Sequence, residues 1–282
     1  MPETLDLDGL KRQANEIRKL IIRITTEAGS GHPTSSLSAT EVVTALFFGG
    51  LMNYDPSDPS MPTRDRFILS KGHAVPVLYS AMAKAGFYSE DDVMTLRKLG
   101  SPFEGHPNMA RLPGMEASTG SLGQGLSLGI GHALAAKMDG HDYYTFVMMG
   151  DGEVDQGQVW EAMASAEKYA LGNITAIIDR NHYQQTGPCD EVLPMDSLVK
   201  KSESFGWKTY EIDGNDMEAA HKTLQEAKAY TEGPTCIVSQ TKKGFGILPV
   251  LEPGGDMNFH GQPLPPELAE KAIAHLEEHA PA

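Results

Sequence analysis

The chain has 282 residues, and its 23 Lys and Arg against 38 Asp and Glu leave a formal net charge of −15, so the clustered basic surface that nucleic acid binding requires is not expected. Its two cysteines, Cys189 and Cys236, lie far apart, which argues against a zinc site or a disulfide scaffold and favours a reducing compartment. Without a secretory signal in residues 1–19 or an apolar run of roughly 20 residues, we expect a cytoplasmic protein with no membrane partner.

An amphipathic helix is predicted near the start of the chain, because apolar residues recur at helical spacing over residues 10–26. Short apolar runs that are typical of buried strands follow it, at residues 66–69, 145–149, 173–178 and 235–239. Helical patterns lie between several of them, at residues 159–170 and 217–230. This alternation predicts an α/β fold, in which a parallel sheet has helices on both faces. We expect residues 1–282 to form a single domain.

Polar residues follow each predicted strand at its carboxyl end. They are Ser70-Lys71-Gly72-His73, Gly150-Asp151-Gly152, Asp179-Arg180-Asn181 and Thr241-Lys242-Lys243-Gly244. Because open parallel sheets bind ligands just beyond the carboxyl ends of their strands, these side chains are expected to converge on one edge of the sheet.

One pair of these loops is typical of a metal and diphosphate site. Asp151 and Asn181 follow successive strands, so a carboxylate and a carboxamide oxygen can reach the same point, and Mg²⁺ prefers such oxygen ligands. The glycines beside Asp151 would let the backbone approach a phosphate closely. The alternative interpretation makes Asp151 a helix cap and places Asn181 in a turn.

The segment from Gly150 to Gly187 resembles the thiamine diphosphate motif, and its details are similar to those of the transketolase family. The likeness extends over most of the chain, through SGHPTSS at 30–36, SKGH at 70–73, EGHP at 104–107, TGSLGQGLS at 119–127, KKGFG at 242–246 and FHG at 259–261. The resemblance implies a thiamine diphosphate-binding fold and a two-carbon ketol transfer between sugars, as in pentose phosphate metabolism.

The resemblance also implies which residues bind the cofactor. Mg²⁺, or Ca²⁺ or Mn²⁺ in its place, would be bound by Asp151, Asn181 and the backbone carbonyl of Tyr183. The other residues expected near thiamine diphosphate are Gly150 and Gly152 at the diphosphate, Gly120, Ser121 and Leu122 near its rings, and Lys71, His73, Lys243 and His260.

Four histidines lie in these motifs, each beside a glycine or a proline. By resemblance, His32 and His260 would contact the substrate and assist proton transfer, His73 would approach the cofactor, and His106 would bind hydroxyls of the donor sugar. Imidazole suits this chemistry because it donates or accepts a proton near neutral pH. For each histidine alone, a surface loop position is the competing interpretation.

The sequence departs from the family pattern in two respects. Gln156 stands where the family usually has a glutamate between paired active sites, and an amide cannot exchange a proton as a carboxylate does. The resemblance also covers only the diphosphate-binding part of a transketolase. We therefore expect a separately encoded partner subunit with the pyrimidine-binding domain, in an α2β2 assembly.

Two alternatives to a transketolase subunit stay open from the sequence. One is a subunit of another thiamine diphosphate enzyme, similar to 1-deoxyxylulose-5-phosphate synthase or to the enzymes that decarboxylate 2-oxoacids. The other is a scaffold subunit without catalytic activity. We expect the groups that select the donor and acceptor sugars to lie largely in the partner subunit.

Overall fold

A parallel sheet lies at the centre of the folded protein, as the alternation of apolar runs and helical patterns predicts. The computed structural model describes residues 4–195, 197–251 and 259–281. In these ranges the strands are β1 (Arg66–Leu69), β2 (Thr145–Gly150), β3 (Ile174–Arg180), β4 (Tyr183–Gln184), β5 (Gly187–Pro188), β6 (Lys208–Asp213) and β7 (Thr235–Gln240). Five of them form the parallel sheet in the order β1-β2-β3-β7-β6, and β4 pairs with β5 in an antiparallel hairpin.

The same ranges contain the α-helices that pack around the sheet. They are α1 (Leu7–Ala28), α2 (Pro33–Leu37), α3 (Thr40–Phe48), α4 (Val75–Lys84), α5 (Glu90–Val93), α6 (Gln124–Asp139), α7 (Gly157–Lys168), α8 (Cys189–Val192), α9 (Leu198–Ser204), α10 (Met217–Ala229), α11 (Leu248–Leu251) and α12 (Pro266–Glu278). Short 3₁₀ turns lie at Gly72–Ala74 and Gly152–Asp155. Within the described ranges, no helix combines the length and the apolar composition that crossing a bilayer requires.

Helix α1 begins and ends at residues suited to those positions. The carboxylate of Asp6 accepts a hydrogen bond from the amide of Gly9 at 2.8 Å, which satisfies one of the free amides of the first turn. Gly29 ends the helix with a φ of +57°, a left-handed conformation that glycine adopts at little cost. The helix predicted at 10–26 is confirmed and is longer at both ends.

Alternate residues of the central strands pack into two apolar cores, one on each face of the sheet. In β2, Phe146 and Met148 belong to the core formed with α1, α3 and α4. Val147 and Met149 of the same strand belong to the core formed with α6 and α7. Because every second residue enters the same core, both faces of the sheet are covered, and the predicted layering is confirmed.

The four strands predicted from apolar runs are confirmed, with ends that differ by two residues at most. The prediction misses β6, whose sequence KTYEID contains only exposed and half-buried residues. This strand lies at one edge of the sheet beside β7. An edge strand needs no continuous apolar run, since part of its surface stays in water.

Candidate functional site

A cavity of about 480 Å³ opens where β1, β2 and β3 reach their carboxyl ends. It brings together residues that lie far apart in the sequence, as expected for the edge of a parallel sheet. The predicted site residues that line it are His32, Lys71, His73, His106, Gly120, Leu122, Gly150, Asp151, Gly152, Asn181, Tyr183 and His260.

Two predicted site residues do not line the cavity directly. Ser121 is exposed between two lining residues, Gly120 and Leu122. Lys243 is only 4% exposed, and its Nζ lies 3.3 Å from Nδ1 of His260, which does line the cavity. Burial and the nearby charge of Lys71 lower the pKa of Lys243 to about 8. The structure therefore places this amine behind the cavity wall.

Asp151 and Asn181 follow adjacent strands, since Gly150 of β2 is in register with Asp179 of β3. The two oxygens of the Asp151 carboxylate accept hydrogen bonds from the amides of Gly152 at 2.9 Å and His182 at 2.6 Å. Nδ2 of Asn181 donates to Asp179 at 3.1 Å, so Oδ1 of Asn181 is the atom that can bind a cation. The two side chains therefore offer hard oxygen ligands from neighbouring strand ends.

This ligand set suits a hard divalent cation and not a softer metal. Across residues 4–195, 197–251 and 259–281, no group of three or more His, Cys, Asp or Glu could hold a metal ion. A cation at Asp151 and Asn181 would therefore need carbonyl, ligand or water oxygens in addition, which is the usual environment of Mg²⁺. Burial and the neighbouring Asp179 raise the pKa of Asp151 to about 6, and a bound cation would favour its ionised form.

A buried charge network supports the floor of the cavity, and Asp179 is its centre. Its carboxylate accepts hydrogen bonds from Lys71, from Ser38 Oγ at 2.7 Å and from Thr241 Oγ1. Burial alone would raise the pKa of Asp179, but the charge of Lys71 and these hydrogen bonds outweigh it and lower the pKa. The carboxylate therefore stays ionised in the interior of the protein.

Three of the predicted histidines form one cluster. The ring centroid of His32 lies 5.0 Å from that of His73 and 4.7 Å from that of His260. Burial and then the charge of His260 lower the pKa of His32 to about 3, and burial lowers the pKa of His73 well below its usual value. Burial and Lys243 lower the pKa of His260 to about 4. All three rings are therefore neutral at pH 7.

His106 enters the cavity from a different loop, against Gly120. Gly120 has a φ of +138°, and a Cβ built on it would lie 2.8 Å from Cδ2 of His106. A side chain at Gly120 would therefore displace the imidazole, so glycine permits this close approach. Burial and the charge of Arg97 lower the pKa of His106.

The structure also places at the site residues to which the sequence assigned no role, although Asp179 was already expected at this edge of the sheet. Asp179 and Glu153 are buried carboxylates, and Ser35, Asp155 and Gln184 line the cavity. A signal was present for Asp179, because a charged residue within or directly after an apolar strand must have buried partners. The partners themselves lie far away in the sequence and could not be identified from it.

Comparisons with known proteins agree on one family. Residues 10–278 match the family described as "Transketolase, thiamine diphosphate binding domain". Human transketolase is 42% identical over 276 residues, which are 98% of this chain and 43% of that protein. An apulose-4-phosphate transketolase subunit of Phocaeicola vulgatus is 40% identical over 243 residues, which are 86% of each chain. The chain thus spans less than half of the human relative but most of the length of the Phocaeicola vulgatus relative.

Solved structures have the same architecture. The transketolase of Campylobacter jejuni superposes with a TM-score of 0.87 at 31% identity, over 95% of this chain and 42% of that chain. The transketolase of Pichia stipitis in complex with sedoheptulose-7-phosphate gives a TM-score of 0.84 at 31% identity, over 96% of this chain and 44% of that chain. The α/β fold expected from the sequence is therefore the fold of this part of these enzymes.

Proposed function

This chain belongs to the family of transketolase thiamine diphosphate binding domains, and from that premise we propose that it is the diphosphate-binding subunit of a two-chain transketolase. The complex would transfer a two-carbon ketol unit from a ketose phosphate to an aldose phosphate. The observation that carries the proposal is one cavity that combines Asp151 and Asn181 with four histidines. Residues 1–282 would form a single cofactor-binding domain.

The residues of the cavity fit thiamine diphosphate and its cation. Asp151, Asn181 and the carbonyl of Tyr183 would bind Mg²⁺, or Ca²⁺ or Mn²⁺ in its place. The support for this assignment is the oxygen ligand set at the ends of β2 and β3.

Other lining residues would contact the organic part of the cofactor. The backbone at Gly150 and Gly152 would lie against the diphosphate, and Gly120, Ser121 and Leu122 would lie near the rings. Lys71, Lys243, His73 and His260 would contribute positive charge or hydrogen bonds at the same site.

Thiamine diphosphate, when bound, supplies the electron sink that stabilises a two-carbon carbanion. The protein's own contribution is to move protons on the sugar. His32 and His260 are neutral at pH 7, so an unprotonated nitrogen of each ring can accept a hydrogen bond from a substrate hydroxyl and align its proton for transfer. His106 would hold hydroxyls of the donor sugar, and His73 would lie beside the cofactor. The loops that carry them orient these rings before substrate arrives.

We propose that a separately encoded chain completes the active site by supplying the pyrimidine-binding domain, in an α2β2 complex. The support is the Phocaeicola vulgatus relative, which is itself named as one subunit of a transketolase and matches this chain over 86% of its length. Neither cysteine forms a disulfide, which favours a cytoplasmic location for the complex. The relatives named for apulose-4-phosphate and bound to sedoheptulose-7-phosphate suggest phosphorylated sugars as the class to screen.

The test combines this chain with its partner subunit. We expect Mg²⁺-dependent uptake of thiamine diphosphate by calorimetry, and ketol transfer from a panel of ketose phosphates, only when both chains are present. Asp151→Ala in this chain should lower the rate of ketol transfer by about 100-fold or more. Replacing even a residue that only hydrogen-bonds to a metal ligand typically lowers metal affinity or activity by about 10–100-fold. Asp142→Ala, an exposed carboxylate before β2, is the matched control and should keep full activity.

Three outcomes would contradict the proposal. Full ketol transfer by this chain alone would exclude the shared active site. Unchanged transfer by the complex with Asp151→Ala would exclude the metal site and favour a scaffold role. Release of CO₂ from pyruvate in place of ketol transfer would instead assign the complex to a different group of thiamine diphosphate enzymes.

A further inference from the structure

Glu153 is a buried carboxylate next to the candidate metal site that the proposed function does not yet use. It lies in the 3₁₀ turn Gly152–Asp155, which begins directly after Asp151, and its side chain is 3% exposed. A buried carboxylate is costly unless its oxygens accept hydrogen bonds. The partners of Glu153 therefore indicate what it does.

The two oxygens of Glu153 accept hydrogen bonds from three donors. Oε1 accepts from the hydroxyl of Ser70 and from the amide of Gly123 at 2.8 Å. Oε2 accepts from the amide of Gly150 at 3.1 Å. The hydroxyl of Ser70 in turn accepts from the amide of Gly125 at 3.1 Å. One carboxylate thus joins three loops, two of them by backbone amides.

Each of these loops carries residues that line the cavity. Ser70 directly precedes Lys71, and Gly123 directly follows Leu122. Gly150 directly precedes Asp151. The first two loops lie 83 and 30 residues away from Glu153 in the sequence. The sheet already joins the first and third of these loops, because the amide of Ser70 donates to the carbonyl of Met148 in β2 at 2.8 Å. Gly123 belongs to neither strand, so the position of its loop relative to the other two depends on contacts such as those of Glu153.

We propose that Glu153 is a positioning residue, which holds the Ser70, Gly123 and Gly150 loops in the arrangement that receives the cofactor. Fixing loops before a ligand binds reduces the conformational entropy that binding would otherwise lose. The identity of the cofactor rests on the proposed function, whereas the joining of the three loops does not. A failure of the positioning role of Glu153 can therefore be observed separately from a failure of the proposed function.

A role in packing alone makes a different prediction for an amide. Glutamine has the shape of glutamate, so a purely space-filling side chain would tolerate Glu153→Gln. In the structure, however, each carboxylate oxygen faces a backbone N–H, that of Gly123 or that of Gly150. Either orientation of the amide would direct its NH₂ group at one of these donors, and a buried donor would lose its acceptor.

The test is residue-resolved amide hydrogen exchange by NMR on this chain without cofactor or partner. In Glu153→Gln we expect the amides of Gly123, Gly125 and Gly150 to exchange about tenfold or more faster, while amides of α1 and α10 keep their rates. Glu116→Gln is the matched control. Glu116 is also a buried carboxylate, and it forms ion pairs with Arg64 and Arg66. The Glu116→Gln substitution should not change the exchange rates of the three glycine amides.

Unchanged exchange at the three glycines, or faster exchange throughout the chain by one common factor, would overturn the proposal. If Glu153→Gln does not fold, Glu153→Asp decides by the same criteria, because its shorter side chain keeps the acceptors but cannot reach all three donors. In the complex with the partner, we expect Glu153→Asp to raise the KM for thiamine diphosphate about tenfold or more and to change kcat much less. A wild-type complex that takes up no cofactor would refute the proposed function and leave the exchange result intact.

Discussion

Lys71 and Asp179 form an ion pair under the cavity, and solvent reaches neither side chain, with exposures of 1% and 0%. The Lys71 ammonium also donates to the carbonyl of Ser35 at 2.9 Å. A pair of opposite charges buried to this extent has lost its hydration, so each partner depends on the other for compensation.

Removing the cation of this pair is expected to destabilise the fold strongly. Lys71→Met keeps most of the side-chain volume but leaves Asp179 charged and uncompensated in the interior. We expect the free energy of unfolding to fall by about 3–5 kcal/mol, measured by urea denaturation of this chain without ligand.

The double variant Lys71→Met/Asp179→Asn provides the control for this prediction. It removes the buried charge together with its partner, so it should be more stable than Lys71→Met alone. A double variant that is less stable than the single one would show that packing, and not charge compensation, is the main role of Lys71.

The stability of the protein should fall with acid through its buried histidines. The pKa of His32 drops from 6.5 to about 3, first because the ring is buried and then because of His260, Arg97, His106 and Lys243. Below about pH 6.5, His32 binds a proton in the unfolded chain but not in the folded protein, so stability decreases as the pH falls. Above that pH both states are neutral and His32 has no effect.

His32→Gln should therefore reduce the acid dependence of stability. We expect a smaller difference between the urea midpoints at about pH 7.5 and about pH 5 than in the wild type, with a remaining difference from His73 and His260. His141→Gln changes an exposed histidine and should leave the difference as it is. An equal difference in His32→Gln and the wild type would mean that His32 has the same pKa in the folded and unfolded states, and would contradict this prediction.

The sequence was sufficient for four of the five strands of the sheet, and for the expectation that most of the predicted site residues meet at one edge, because both depend on local signals. An apolar run such as residues 145–149 predicts a buried strand wherever it occurs, and motifs at strand ends identify Asp151 and Asn181. Strand β6 was missed because its edge position allows a polar sequence. Local pattern carries no information about such a position.

The supporting residues of the site were not predictable in the same way. Asp179 accepts from Ser38, which is 141 residues away in the sequence, and from Lys71, which is 108 residues away. Glu153 accepts hydrogen bonds from Ser70 and Gly123, which are 83 and 30 residues away. These roles exist only after the chain has folded, so the sequence can indicate that a buried carboxylate needs partners but cannot identify them.

Two glycines of helix α6 should respond to alanine in opposite directions. A Cβ at Gly129 would lie 2.3 Å from Cγ2 of Val147, which is fully buried in β2, whereas a Cβ at Gly131 would meet nothing within 4 Å. Alanine favours a helix over glycine by about 1 kcal/mol at either position. At Gly129, overpacking costs about 1–3 kcal/mol, with the upper part of the range expected for a contact this short.

We therefore expect Gly129→Ala to lower the free energy of unfolding and Gly131→Ala to raise it by about 0.5–1 kcal/mol. Urea denaturation of both variants side by side measures this, and equal effects would contradict the close packing of α6 on the sheet.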